Sequence, residues 1–322
     1  MSENDTILGN RRVVIVFQLL LLLVILSGLF GAFLIDKKQT ASVTEAVPLS
    51  DAPLAVANPE ALAKMSEVQV RAKAAYVWDV NRGEALFAKN EDVVLPLASI
   101  TKLMTSLLAF ELASADTTTR LSSRAARQEG SSLIEGEQFT LDELNRFALI
   151  SSSNSAAYEL SASVGALLGE RDPSAQFVEG MNIKAEELGF KTLSFKNPTG
   201  LDVSLTEPGG VGSAKEVSLL MEYILKEHPE LLEATTRGGA RIYNSQGEYH
   251  DVENTNEVLY AIPNLIGSKT GYTDLAGGNL TVAFDAGMNR PVIITVLGST
   301  REERFSDVLR LVRATQSHIS DL

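Results

Sequence analysis

Three short clusters of reactive side chains occur in order along the chain: Ser99-Ile100-Thr101-Lys102, Ser152-Ser153-Asn154 and Lys269-Thr270-Gly271. The first sets a hydroxyl three residues ahead of an amine. On a helix these positions share a face, so Lys102 would lie beside Ser99 and could take its proton once the amine is neutral. Burial and a second cation nearby both push a lysine towards neutrality. A helix N-terminus at Ser99 would add amide donors and a positive partial charge, both suited to a developing oxyanion. Ser152 and Asn154 offer a proton relay and an amide that can hold a substrate carbonyl. Lys269 and Thr270 offer a charge and a hydroxyl to a carboxylate, and Gly271 would let a substrate backbone approach a strand edge closely. The combined chemistry is acyl transfer through a serine, with a lysine as base.

Taken singly, each cluster has a plainer meaning. Ser99 could be a helix N-cap with Lys102 on the surface, and the run Ser151 to Ser155 a polar turn. Lys269 to Gly271 could be an ordinary strand and turn. Order and setting carry the argument. After Pro96, the apolar residues of Leu97 to Glu111 recur at helical spacing, which puts Ser99 at the mouth of a helix. Thr140-Leu141-Asp142-Glu143 is a capping box that opens a helix ending near Leu149 and Ile150. The second cluster then falls in the break before another helical run, Ala156 to Leu160.

The third cluster lies in Leu265 to Thr273, ahead of the β-rich runs Leu280 to Phe284 and Val292 to Leu297. These two runs read as an antiparallel hairpin across Gly287-Met288-Asn289-Arg290. Strands near Val70–Asp79 and Glu84–Lys89 and the C-terminal strands from about Ile266 to Leu297 bracket a largely helical middle. The two ends must therefore meet in one antiparallel sheet, against which Glu302 to His318 packs as a final helix. The class is α/β in the broad sense, more narrowly α+β.

With these motifs in place the chain resembles the serine-type D-alanyl-D-alanine carboxypeptidases, the low-molecular-mass penicillin-binding proteins that trim peptidoglycan stem peptides. The likeness extends from about Val70 to Ile319. It includes the hairpin Ala74 to Phe87, the Gly130-Ser131-Ser132 loop, Asn197 to Asp202, Asn254-Thr255-Asn256 and Lys269 to Leu280. The resemblance implies a β-lactamase/transpeptidase-like fold, an antiparallel sheet flanked by helices with the site between the sheet and a helical lobe. It implies that Ser99 forms the acyl-enzyme, Lys102 accepts its proton, Ser152 passes a proton to the leaving D-alanine and Asn154 holds the substrate amide. Lys269 and Thr270 would bind the terminal carboxylate, with Gly271 and Tyr272 completing the substrate strand. The N–H groups of Ser99 and Tyr272 would form the oxyanion hole. The partners implied are a peptidoglycan pentapeptide and β-lactams. Two alternatives share these motifs: a β-lactamase, for which the deacylating Glu-x-x-Leu-Asn segment of class A enzymes is missing, and a catalytically idle wall-binding scaffold.

The 23-residue run Val13–Ile35 is long enough to cross a bilayer. It exceeds the apolar core of a secretory signal, and no small-x-small cleavage site directly follows it. An uncleaved transmembrane helix is expected, with a removed signal peptide as the alternative. Arg11 and Arg12 before the span are balanced by Lys37 and Lys38 after it, so the expected function sets the orientation. The expected plan is a cytoplasmic tail (1–12), a cell-membrane anchor (13–35), a flexible linker (36–68) and an extracytoplasmic catalytic unit (69–322). The chain has 322 residues, a net charge of −13 and no cysteine. Disulfide and cysteine chemistry are excluded, and the charge argues against nucleic acid as a partner. Neither clustered metal ligands nor a phosphate-binding loop occurs, so no cofactor is expected, and His228, His250 and His318 lie outside all three motifs.

Overall fold

Alternating apolar residues build the central sheet of the computed structural model, which describes residues 65, 67–169 and 171–320. Its strands are β1 (Ala74–Asp79), β2 (Glu84–Lys89), β3 (Leu265–Thr273), β4 (Gly277–Asp285) and β5 (Pro291–Ser299). They pair antiparallel in the order β3-β4-β5-β1-β2, so the N-terminal hairpin does join the C-terminal strands. Strand residues point to opposite faces in turn. Ala75, Val77, Leu280, Val282, Phe284, Ile294 and Val296 face one core, and Ala74, Tyr76, Ala283, Ile293 and Leu297 face the other.

The first core is closed by a C-terminal helix through Phe305, Val308, Leu311, Val312 and Ile319. The second belongs to the helical lobe: α1 (Lys102–Leu112), α2 (Leu141–Ile150), α3 (Asn154–Gly165), α4 (Pro173–Glu187) and α5 (Ala214–Glu227). The C-terminal helix is α6 (Glu303–Ser320). Sheet, lobe and α6 make three layers, each apolar face buried against a neighbour. A fully buried Phe or Leu side chain contributes about 1.5–3 kcal/mol.

Helix starts follow the expected chemistry. The Thr140 hydroxyl accepts from the Glu143 amide while the Glu143 carboxylate accepts from the Thr140 amide, a complete capping box. The hairpin turn between β4 and β5 holds Met288 and Asn289 at φ of 55° and 56°, as a tight primed turn requires, and the Asp285 carboxylate accepts from the amides of Gly287 and Arg290. One expectation changes. The first strand begins at Ala74 rather than Val70, because the amides of Arg71 and Ala72 donate to the fully buried Asp307 carboxylate of α6 instead of to a strand. The predicted anchor 13–35 and nearly all of the linker 36–68 lie outside the described residues. Among the described residues no helix is long and apolar enough to cross a membrane.

Candidate active site

The nucleophile turn is a short 3-10 segment, Ala98–Thr101, that leads directly into α1. It is clamped from three directions. Asn279 of β4, fully buried, donates to the carbonyls of Pro96 and Leu97 and accepts from the Gly298 amide. Gly200, at φ +78°, lies so close that an added Cβ would fall 1.9 Å from the Ala98 carbonyl oxygen. Gly271 of β3 covers the turn on the third side: a Cβ there would meet the Leu97 carbonyl at 2.8 Å and the Ser99 and Ile100 nitrogens at 3.2 Å. This adds a second requirement for glycine at position 271. Its missing side chain makes room for the nucleophile turn.

Lys102 is fully buried, its Nζ 2.8 Å from each of Ser99 Oγ, Asn154 Oδ1 and the Thr199 carbonyl oxygen. The last two can only accept. A neutral amine has two hydrogens and one lone pair, so donating to Asn154 and Thr199 aims the lone pair at the Ser99 hydroxyl. Burial, and secondarily the charge of Lys269, hold Lys102 well below the ordinary lysine range. Asn154, the first residue of α3, is engaged at both ends, since its Nδ2 donates to the Glu129 carbonyl.

Ser152 lies in the break between α2 and α3 at φ +61°. For a serine this left-handed conformation costs about 1–3 kcal/mol, and such cost gathers where geometry serves chemistry. Its hydroxyl accepts from Lys269 Nζ at 2.9 Å, so the second and third clusters meet across the cleft between lobe and sheet. Lys269 also donates to the Thr270 carbonyl and is 1% exposed. Burial first, and then the charge of Arg304, lower it to about 7. Beyond burial, the charge of Lys269 contributes to the lowering of Lys102, and that of Arg304 to the lowering of Lys269.

Arg304, from the first turn of α6, is the residue that sequence reasoning missed. It is 6% exposed and donates to the Gly271 carbonyl at 2.8 Å, and its Nε has no partner among the described residues. Among the described residues neither Lys102, Lys269 nor Arg304 forms an ion pair with a carboxylate. Glu257 and Glu302 act on Arg304 without direct contact, and buried cations with no carboxylate in contact are costly until an anion arrives. Thr199 was also missed in its role, although it stands in the Asn197–Asp202 stretch noted in the sequence. Thr270 is buried beside Lys269, while Tyr272 is exposed with Arg301 over its ring at 4.9 Å. Next to Tyr272 opens a cavity of about 550 Å³ lined by Glu129, Leu201, Asp202, Leu205, Thr273 and Leu275 among others. The arrangement can activate a serine, move a proton and hold an anion.

Comparison with known proteins agrees with this geometry. The family model described as D-alanyl-D-alanine carboxypeptidase, peptidase family S11, matches residues 61–301. The D-alanyl-D-alanine carboxypeptidase DacF of Bacillus subtilis is 31% identical over 271 residues, covering 82% of this chain and 67% of the relative. A D-alanyl-D-alanine endopeptidase of Escherichia coli is 28% identical, covering 83% of each chain. Penicillin-binding protein D2 of Listeria monocytogenes, solved in an ampicillin-bound form, superposes with a TM-score of 0.66 at 31% identity, covering 77% of this chain and 98% of that one. A mutant of the Streptomyces K15 DD-transpeptidase shares the fold with a TM-score of 0.70 at 21% identity, covering 78% of this chain and all of that one. With the family model spanning most of the catalytic unit and the motifs meeting in one cleft, the chain belongs to the D-alanyl-D-alanine carboxypeptidase family.

Proposed function

We infer that the protein removes the terminal D-alanine from peptidoglycan stem peptides through an acyl-enzyme on Ser99, and that β-lactams acylate the same hydroxyl. The observation that carries this reading is the 2.8 Å Ser99–Lys102 contact beside a buried cation, Lys269, that lacks a carboxylate partner among the described residues. A substrate with a free C-terminal carboxylate would supply that partner, and its scissile carbonyl would then lie over Ser99.

The steps follow from the side chains. Ser99 Oγ attacks the carbonyl of the penultimate D-alanine as its proton passes to the Lys102 lone pair. The N–H groups of Ser99, at the start of the turn, and Tyr272, on the edge strand β3, hold the oxyanion. The Ser152 hydroxyl hands its proton to the departing D-alanine nitrogen and regains one from the Lys102 ammonium, which returns to the neutral amine. Water then attacks the ester as Lys102 accepts its proton, the bond to Ser99 Oγ breaks as Lys102 returns that proton to it, and the stem peptide leaves one residue shorter. Lys269 and Thr270 bind the terminal carboxylate, and the cavity beside Tyr272 has room for the rest of the stem. Attachment to the cell membrane through residues 13–35, with the catalytic unit outside, is part of the same reading, supported by the length of the span and the location of the substrate.

Ser99→Ala should abolish covalent labelling by a fluorescent penicillin while leaving the circular dichroism spectrum unchanged, because the acyl bond has no other attachment point. D-alanine release from a pentapeptide, measured beside penicillin turnover, tests the activity. Persistent labelling of the variant, or fast penicillin turnover without D-alanine release, would overturn it.

A further inference from the structure

The Asn254-Thr255-Asn256 turn takes no part in the steps above, yet it is fixed from several sides. Asn254 Nδ2 donates to the carbonyls of Thr235 and Arg237 at 2.8 and 2.9 Å, and its Oδ1 accepts from the Asn256 amide at 2.9 Å. Asn256 Nδ2 donates to Ser268 Oγ of β3 at 3.1 Å, and its Oδ1 accepts from the Val258 amide at 3.2 Å. The Thr255 amide donates to the carbonyl of Ile150, the last residue of α2 before the Ser152 break. The Thr255 side chain is thereby held between the two walls of the cleft. Its hydroxyl has one partner among the described residues, Thr270 Oγ1 at 2.5 Å.

Each hydroxyl carries one proton and two lone pairs, so the pair has two possible directions. If Thr270 donates to Thr255, the Thr255 proton has no protein acceptor among the described residues, and Thr270 presents only lone pairs to the cleft. If Thr255 donates to Thr270, both protons can be used: the Thr270 proton turns towards the cleft, and the chain of two hydrogen bonds strengthens each member. We propose that Thr255 is a positioning residue that sets selectivity for an anionic terminus, its hydroxyl donating to Thr270 Oγ1 and so committing the Thr270 proton to an acceptor in the cleft. A carboxylate is acceptor-only and meets that proton wholly. A terminal amide offers the same proton only a neutral carbonyl oxygen, a weaker acceptor than a carboxylate. The proposal rests on the reading that Thr270 contacts the substrate carboxylate.

The test uses the full chain and compares kcat/KM for a peptide ending in D-Ala-D-Ala with that for its C-terminal amide. Thr255→Val keeps the side-chain shape and removes the hydroxyl, whereas Thr255→Ser keeps the hydroxyl. The acid-to-amide ratio should fall about five- to tenfold in Thr255→Val, the worth of one supporting hydrogen bond, and stay within about twofold of wild type in Thr255→Ser. In a Thr270→Val background, adding Thr255→Val should change the ratio no further. Because both substrates are measured on one preparation, a partly inactive sample cannot mimic the result. A wild-type ratio in Thr255→Val, or an equal loss in Thr255→Ser, would overturn the proposal while a collapsed ratio in Thr270→Val upheld the carboxylate reading. A wild-type ratio in Thr270→Val would overturn that reading itself, and the proposal with it.

Discussion

In the proposed mechanism, Lys269 is the residue that distinguishes a carboxypeptidase from a general peptidase. If it binds the terminal carboxylate, Lys269→Ala leaves that anion without a partner in a confined site, a loss on the order of 2–4 kcal/mol in kcat/KM. The loss should fall on the acid substrate, largely erasing the preference over the amide. Lys269→Arg should recover only part of it, since a planar fork suits a different approach. A mutant that keeps the full wild-type ratio would remove Lys269 from the anion site. The pH dependence follows from the two lysines. Rate rises with pH as Lys102 loses its proton, and falls again as Lys269, drawn down to about 7 in the free enzyme, loses its own. A guanidinium does not titrate in this range, so in Lys269→Arg the alkaline limb of the kcat/KM profile should move to higher pH; an unmoved limb would assign it to another group. The serine, the two lysines and the threonine could be named from sequence because their chemistry fixes their types. Arg304 could not, because an arginine on an amphipathic helix ordinarily reads as solvent-facing, and only the packing of α6 against β3 buries it.

At the scale of elements, the cleft depends on how closely β3 lies over the nucleophile turn. Gly271→Ala would force a methyl against the Leu97 carbonyl and to 3.2 Å from the Ser99 nitrogen, the proposed oxyanion donor. The strand has to move by a few tenths of an ångström at the point where geometry matters most. Penicillin acylation should slow by at least about tenfold, a 1.4 kcal/mol rise in the barrier, with only a modest fall in Tm; stopped-flow labelling beside a thermal melt measures both. A rate within twofold of wild type would show that the contact is slack. The helix starts, the two-ended sheet and the β4–β5 hairpin were legible because capping residues, period-two patterns and turn residues are local signals. The early end of β1 and the placing of Gly271 were not. Both are set by partners far along the chain, Asp307 for the first and the turn at Ser99 for the second, and a single sequence carries no local mark of either.

For the molecule as a whole, the point at which the catalytic unit begins is set by packing. Met65 is buried in the core beneath α6, and Arg71 and Ala72 are held by Asp307, whose carboxylate also accepts from Ser299 and Arg310. A protein beginning at Ala57, which retains Met65, should be soluble and labelled by penicillin, whereas the full chain should sediment with membranes. Full chain that remains in the soluble fraction, or a native N-terminus that begins after Ile35, would remove the anchor from the proposal. The unpaired buried cations reach beyond catalysis. Holding Lys269 and Arg304 away from water with no carboxylate in contact among the described residues makes the free enzyme less stable than its packing would otherwise allow. An anion that binds the folded cleft and not the unfolded chain offsets this by linkage. Resistance to unfolding thus becomes a report of occupancy, with substrate or drug acting as a missing structural part of the protein.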